Sequence, residues 1–478
     1  MGGRVLSVAS ECVPLVKTGG LADVVGALPG ALAPRGWQMR VLIPAYPGVV
    51  AQLGAVREVW AADDLFGGPA RLLLGRVAGF EVLALAAEHL FARLGGPYSD
   101  GSGDFRDNPE RFAALSWVAA EIARAGDGDG WRPDIVHAHD WQGGFAPAYL
   151  RYRGARVPSV LTVHNIAFQG IAGPERLAAL RLPPEAFSPE GVEYWGNISA
   201  LKAGLVAADA ITTVSPRYAD ELMRPEFGLG LEGVISARAG VVQGILNGID
   251  DAVWNPESDP EIVPYAARAL AGKAQNRARL VAEFGLGEVA GPLAILVSRL
   301  THQKGIDLVP EAVAAFLAAG GGLCILGAGE PWAEDAMRAL AARHPGQVGL
   351  RIGYDEGLSH RMFAGGDAVL VPSRFEPCGL TQMMGLRYGA VPVVAAVGGL
   401  ADTVIGASPA SLAAAAATGV VFHPVDALAF AQGLRKLSSI YADRAAWGAM
   451  QRRGMKADLG WGTSAARYAA LYEGLVRG

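Results

Sequence analysis

Cysteine is scarce in this 478-residue sequence: Cys12, Cys324 and Cys378 are the whole complement. They are odd in number and far apart, which excludes a disulfide framework and the paired spacings of a zinc site. Charged residues make up only 18% of the chain and no low-complexity tract interrupts it, so a disordered protein is excluded as well. A formal net charge of −5 provides no field to attract nucleic acid or an anionic membrane surface, and neither is expected as a partner. Long hydrophobic runs are also missing. The early run Val5 to Ala9 is too short for a signal-peptide core, and Ser411 to Phe422 falls short of the ~20 residues that a membrane span requires. These absences lead to the expectation of a soluble chain in a reducing, cytoplasmic compartment, in which any anion site is a local one.

What the sequence does have is a 51% hydrophobic content and enough length for two large domains. Short β-branched runs recur, each closed by a turn and followed by a helical pattern, which reads as an α/β chain with parallel sheets. Strands are predicted at Arg4 to Ser10, Met39 to Pro44, Pro133 to His137, Ser159 to His164, Ala210 to Val214 and Val241 to Leu246. Between the first two, Leu21, Val24, Val25, Leu28 and Leu32 recur at helical spacing. After Asn247 the polar, proline-containing stretch Asp251 to Pro264 reads as a linker. A second series follows, with strands at Leu293 to Val297, Leu323 to Leu326, Ala368 to Val371 and Val391 to Ala395, and helices at Ile306 to Leu317 and Pro331 to Arg343. Two doubly wound domains are expected, with polar clusters at the strand C-termini, where ligands of open α/β sheets bind.

Four clusters carry candidate chemistry. Lys17, Thr18, Gly19, Gly20 and Leu21 open the first helix; bare amides, the helix dipole and a cation suit a phosphate, although a glycine-capped tight turn explains the same residues. The spacing is neither a Walker A loop nor GxGxxG. His137, Ala138, His139, Asp140 and Trp141 close one strand and Thr162, Val163, His164 and Asn165 the next. Alternation along a strand leads to the expectation that one of His137 and His139 faces the interior, and contact with a sugar is favoured over a metal because a third placed ligand is not evident. Arg299 and Lys304 flank a strand-to-helix loop, a fork and a point charge that suit a diphosphate or else decorate a solvated basic loop. In Ser373, Arg374, Phe375, Glu376, Pro377, Cys378 and Gly379, a carboxylate restrained between Phe375 and Pro377 suits sugar hydroxyls; Cys378 reads as a site-lining thiol or as packing. The heptads GGLADVV at Gly19 to Val25 and GGLADTV at Gly398 to Val404 share six of seven residues. They are read either as two glycine-rich helix starts meeting an oxygen-rich ligand or as convergence on a good helix start.

The strings KTGGLADVVGALP, HAHDW, TVHN, NGID, SRLTHQKG, PSRFEPCGLTQ and GGLADTV stand in this order along nearly the whole chain. With them the sequence resembles the bacterial glycogen synthases and plant starch synthases. The resemblance implies a GT-B fold, two Rossmann-like domains facing across a deep cleft. It implies residues 1–250 as the acceptor side, 251–460 as the donor side, and a helix within 461–478, near Ser464 to Val476, that returns to the first domain. It implies a retaining transfer of glucose from ADP-glucose to the 4-hydroxyl at the non-reducing end of an α-1,4-glucan such as glycogen, with no cofactor and no metal. By the same resemblance Lys17 contacts ADP-glucose, Asp23, Asn247 and Tyr354 line the donor or sugar site, and Arg299 and Lys304 hold the diphosphate. Glu376 holds the transferred glucose, and Asp140 and His164 lie near the reacting carbon. Gly19, Gly20, Tyr98, Cys378, Gly379, Leu380 and Thr381 complete the implied substrate-binding set.

Two positions depart from the pattern: Met384 stands where related retaining transferases carry a second glutamate or, within this branch, a tyrosine, and Gln142 stands where HDW is often followed by histidine. The rival readings are a GT-B transferase using UDP-glucose or another acceptor, an inactive glucan-binding homologue, and a phosphorylase, for which no pyridoxal-phosphate motif is recognised. Oligomeric state is not legible in the sequence.

Overall fold

The structure, a computed structural model, describes residues 2–477, and the chain divides into two compact units, Met1–Asn247 with Trp461–Gly478, and Gly248–Gly460. The strands of the first unit are β1 (Gly3–Val8), β2 (Trp37–Pro44), β3 (Arg57–Ala62), β4 (Ala70–Val77), β5 (Phe80–Ala86), β6 (Ile135–His139), β7 (Ser159–Val163), β8 (Ile171–Ala172), β9 (Glu193–Tyr194), β10 (Asn197–Ser199), β11 (Ala210–Thr213) and β12 (Val242–Gly244). Nine of them form one sheet in the order β12-β11-β7-β6-β1-β2-β5-β4-β3. It is parallel from β12 to β5 and antiparallel from β5 to β3. The central strands are apolar almost throughout because helices cover both faces, and Val5, Leu6, Val8, Val41, Leu42, Ile135 and Val136 are fully buried.

Across β1, β6, β7 and β11 runs a polar row instead. The register sets Ser7 against His137, His139 against Thr162, and Thr162 against Thr212, and all five side chains are buried. His137 and His139 share one face, since residues two apart on a strand point the same way. The expectation that only one of them faces inward is therefore corrected. The helix Trp461–Arg477 closes this unit: Ala465, Tyr468, Ala469 and Tyr472 join a cluster with Val24 and Leu28 of the helix Gly20–Leu32 and with Val5, Trp37 and Ile135 of the sheet. The Tyr472 ring meets Trp37 edge-on at 5.2 Å, and its hydroxyl lies 2.7 Å from Nδ1 of His137.

The second unit is a fully parallel sheet of β13 (Leu293–Val297), β14 (Gly322–Gly327), β15 (Val348–Ile352), β16 (Ala368–Val371), β17 (Val391–Ala395) and β18 (Val420–Phe422), in the order β15-β14-β13-β16-β17-β18. The helix expected over Ile306 to Leu317 is broken into a 3-10 turn, Ile306–Leu308, and the short helices Val309–Ala312 and Ala314–Ala318; Pro310 has no N–H to extend the opening turn. The stretch Asp251 to Pro264 is not a free linker. One of its carboxylates is committed inside this unit: the buried Asp259 accepts from Tyr388 Oη at 2.5 Å and pairs with His360 Nδ1 at 2.7 Å. Trp254 stacks on His360 at 4.0 Å, and Ile262 enters the core. Among the described residues no helix is long and apolar enough to cross a membrane.

The C-terminal helix generates a stability prediction. Tyr472→Ala removes a fully buried ring and is expected to cost about 3–5 kcal/mol. Tyr472→Phe strands one imidazole nitrogen and is expected to cost about 1–3 kcal/mol. Denaturant midpoints measure both, and unchanged midpoints for the pair would show that this helix does not help hold its unit together.

Candidate functional site

In the second unit, β13 and β16 are neighbouring parallel strands, so the loops leaving their C-terminal ends run side by side. The first carries Ser298 to Gly305 and the second Pro372 to Leu380. Lys304 Nζ lies 2.5 Å from Glu376 Oε2, and Ser373 Oγ donates to the same oxygen at 2.9 Å. Glu376 Oε1 has no hydrogen-bond partner among the described residues. Both partners are largely buried, with side-chain exposures of 19% and 10%. Further bonds stitch the loops together: Arg374 N donates to Gln303 O at 2.9 Å, Gln303 Nε2 to Phe375 O at 3.1 Å, and the Arg374 fork grips Asp307 at 2.6 and 2.7 Å. Gly305 permits the approach, since its φ is +68° and a Cβ there would sit 2.1 Å from Pro372 O. Ser298, Lys304, Ser373, Glu376 and Thr381 line a recess between the strand ends. Arg299 is exposed beside it and makes no ion pair among the described residues.

Behind Glu376 stands the second copy of the GGLAD heptad. Gly398 and Gly399 have no room for a side chain: a Cβ on either would sit 2.1 Å from the carbonyl oxygen of Glu376 or Cys378. The Gly399 amide donates to Glu376 O and Pro377 O, each at 3.1 Å. Gln382 ties the same turn together by donating to Cys378 O, Gly379 O and Thr403 Oγ1 at 3.1, 2.7 and 3.0 Å. This copy supports the Glu376 loop from behind, and Gly399 has no amide left for a ligand. The reading that both copies offer bare amides is corrected for this one.

The first copy is different again. A Cβ on Gly19 or Gly20 would meet nothing within 4 Å, so ligand-sized space is open there. Two of the loop amides are nevertheless taken, because the buried Glu11 carboxylate accepts from Thr18 N, from Thr18 Oγ1 at 2.6 Å and from Gly19 N at 3.3 Å. Tyr98 Oη donates to Glu11 at 2.5 Å and lies 2.7 Å from Ser10 Oγ. Lys17 Nζ pairs with Asp23 at 2.7 Å, with both side chains part-exposed. A helix start with a carboxylate already docked on it has less to offer a phosphate than the sequence alone implies. Glu11 escaped the sequence reading; its one signal is a lone carboxylate three residues beyond a strand whose last four residues are buried.

At the ends of β6 and β7 the three histidines form a hydrogen-bonded layer. His139 Nε2 lies 3.0 Å from Ser7 Oγ and His139 Nδ1 3.0 Å from His164 Nε2; His137 Nε2 lies 2.6 Å from Thr162 Oγ1, which in turn is 2.6 Å from Thr212 Oγ1. Burial pushes His137 and His164 down to about 3 and holds His139 well below the ordinary imidazole value, with the neighbouring rings adding to the effect on His137 and His139. Asp140 sits at φ +50°, and its carboxylate accepts from the amides of His164 at 2.7 Å and Asn165 at 3.3 Å. Burial outweighs these two bonds and pushes Asp140 up to about 7.

The other expected residues take simple positions. Asn247 is buried and its Oδ1 has no partner among the described residues. Tyr354, on the loop after β15, is 80% exposed, with its hydroxyl 2.7 Å from Glu356. Cys378 is buried, and Leu380 and Thr381 lead into the helix Thr381–Arg387. Met384 packs against the core of the second unit, and Gln142 is buried with no partner for Oε1 among the described residues.

Three neutral imidazoles impose a pH dependence. In the unfolded chain they take up protons below about 6.5, the ordinary value, whereas in the folded chain His137 and His164 do not until about pH 3 and His139 is likewise held well below the ordinary value. Their contribution to stability is therefore full above pH 6.5 and is lost as the pH falls below it. Asp140, raised from 3.8 to about 7, acts in the opposite sense: its contribution is full at low pH and is lost as the pH rises through 7. With three such groups against one, the cluster is expected to weaken on acidification. In an NMR titration from pH 8 to 5 the ring signals of His137, His139 and His164 should stay put, and a midpoint near 6.5 for any of them would refute the buried neutral layer.

Comparison with known proteins places this geometry in a family. Residues 4–237 match the starch synthase catalytic domain family, and residues 286–453 match the glycosyl transferases group 1 family. A glycogen synthase of Cereibacter sphaeroides is 65% identical over 475 residues, and that of Paracoccus denitrificans 57% identical over 478 residues, each match covering 99% of both chains. The catalytic domain of starch synthase IV from Arabidopsis thaliana, solved bound to ADP and acarbose, has a TM-score of 0.90 at 30% identity, over 100% of both chains. Sucrose-phosphate synthase from Thermosynechococcus elongatus, at 20% identity and a TM-score of 0.62 over 99% of both chains, shares the fold. The chain belongs to the glycogen synthase family: it is a glycosyltransferase with the two-domain GT-B fold, in a family whose donor is a nucleotide sugar and whose acceptor is a glucan.

Proposed function

We propose that this chain transfers glucose from ADP-glucose to the 4-hydroxyl at the non-reducing end of an α-1,4-glucan, retaining the α configuration, and that the Lys304–Glu376 pair is the centre of its donor site. The family membership supports the reaction, and the ADP bound to the starch synthase IV domain supports the adenine donor. One observation carries the site: a lysine and a glutamate from adjacent strand ends are held 2.5 Å apart at a recess, with one carboxylate oxygen unpartnered among the described residues.

In this reading residues 251–460 take the donor. Arg299, exposed and unpaired, grips the diphosphate as a fork, and Lys304 adds a second positive charge. As the bond from C1 to the phosphate oxygen lengthens, negative charge accumulates on ADP, and these cations stabilise it more than they stabilise the bound sugar nucleotide. The acceptor 4-hydroxyl attacks C1 from the face that ADP leaves; the departing phosphate takes its proton, the new glycosidic bond forms and ADP is released. Glu376 Oε1 holds a glucose hydroxyl. Its other oxygen is already committed to Lys304 and Ser373, which suits a positioning carboxylate better than a nucleophile. Cys378, Gly379, Leu380 and Thr381 border the same glucose, and the exposed Tyr354 ring offers a face to the donor.

Residues 1–250 carry the acceptor side. Asp140 positions the His164 and Asn165 amides, and neutral His164 hydrogen-bonds a sugar hydroxyl near the reacting carbon. Lys17 exchanges Asp23 for the donor, approached over the open space at Gly19 and Gly20. Tyr98 holds the Glu11 brace, and Asn247 Oδ1 accepts a sugar hydroxyl. A reducing cytoplasm suits the three buried, unbridged cysteines.

With glycogen as acceptor, release of nucleoside diphosphate should be faster from ADP-glucose than from UDP-glucose; the reverse preference would overturn the donor assignment. Lys304→Ala and Glu376→Gln should each lower kcat by about 10²–10³; the second keeps the side-chain shape but leaves Lys304 without its counter-charge, so its unfolding midpoint should fall as well. Full activity in both variants would show the site to be misplaced.

A further inference from the structure

Trp195 occupies the turn between β9 and β10 at φ +51° and is 78% exposed. A bulky residue in the left-handed region is strained, and an indole that is mostly in water, with an edge-on contact to the Tyr194 ring at 6.4 Å, recovers little of that cost by packing. The turn around it is firmly held: Glu193 accepts from Gly196 N at 2.7 Å, and Asn197 Nδ2 donates to Trp195 O at 3.3 Å. Neighbouring segments are tied to this hairpin. Tyr194 Oη and Gln169 Nε2 both donate to Leu229 O, at 2.6 and 3.2 Å, and β8 pairs with β10 through Ile171 and Ser199. Three further apolar side chains on these segments are exposed, Phe168 at 57%, Ile171 at 46% and Leu229 at 48%.

The patch continues from the candidate site. The segment Asn165 to Gly170 starts at the amide held by Asp140, and Gly170 lies against the Trp141 ring. Phe168, Ile171, Trp195 and Leu229 carry no charge, so the patch suits an uncharged ligand with apolar faces and hydroxyl edges. A glucose ring in a glucan has this form: its C–H faces stack on an indole, while its hydroxyls are within the chemistry of Asn197, Glu193 and Gln169.

We propose that Trp195 is a stacking platform for the glucan acceptor, an accessory subsite that holds a glucose unit of the polymer, with Phe168 and Leu229 extending it. The inference rests on the reading of a glucan as acceptor. The platform anchors long chains, and short acceptors do without it.

Trp195→Asn tests it on the full chain, because asparagine tolerates the left-handed turn; Trp195→Phe restores an aromatic face. In the asparagine variant, retardation in native gels containing glycogen should be lost and KM for glycogen should rise about three- to tenfold. Its kcat for glycogen and both constants for maltotriose should hold, and the phenylalanine variant should recover most of the glycogen affinity. Unchanged retardation and unchanged KM for glycogen would overturn the proposal. So would an equal loss with maltotriose, or a change of oligomeric mass with glycogen binding intact, which would mark a protein contact instead. If the parent chain binds glycogen through Trp195 yet elongates no glucan, the platform stands and the acceptor reading fails; if it neither binds nor elongates, both fail.

Discussion

The ion pair between Lys304 and Glu376 is the constraint around which the second unit's strand ends are arranged. Two opposite charges with little solvent access are stable only when each is answered and the remaining lone pairs are satisfied. Ser373 supplies the extra donor, and the loops are held in register by Gln303 and by the Arg374–Asp307 fork. The close passage at Gly305 follows from the same demand, since any side chain there would push the Lys304 loop away from Pro372. A pair fixed in this way costs little reorganisation when charge develops beside it, which is how preorganised groups lower a barrier.

The first unit solves a related problem by other means. Polar side chains on β1, β6, β7 and β11 lie inside a sheet covered on both faces, where an unpaired group is costly. They bond one another in a row and stay uncharged, and the row ends at His164, whose backbone amide is held by Asp140. Glu11 performs the same service at the first helix. A buried carboxylate needs donors, and the amides of Thr18 and Gly19 with the Tyr98 hydroxyl provide them. The KTGG loop thus has its shape before any ligand arrives, at the cost of amides that the sequence appeared to leave free.

Much of this was legible in the sequence, for identifiable reasons. β13, β16 and β17 fall on the predicted residues because strands buried on both faces are continuous β-branched runs with abrupt ends. The loops bearing Lys304 and Glu376 were found because they follow those ends. The antiparallel extension β3 to β5 was not foreseen, and β8, β9 and β10 are too short, at two or three residues each, for any alternation to register. The stretch 251–264 reads as a linker because its composition is polar, but Asp259 within it is bonded to Tyr388 and His360 inside the unit. Glu11 and the shared face of His137 and His139 depend on which strand lies next to which, and composition does not carry that information.

The two GGLAD heptads show where such reading stops. Identical residues at 19–23 and 398–402 begin two helices, and local propensity explains both starts equally well. What differs is the neighbour. At Gly19 and Gly20 a missing side chain leaves space; at Gly398 and Gly399 the same lack lets the Glu376 and Cys378 carbonyls press against the backbone. A glycine pair therefore serves ligand approach in one unit and backbone packing in the other, and the choice is made by the loop that lands on it. In the second unit that loop bears Glu376, so the heptad acts on chemistry only through the carboxylate it supports.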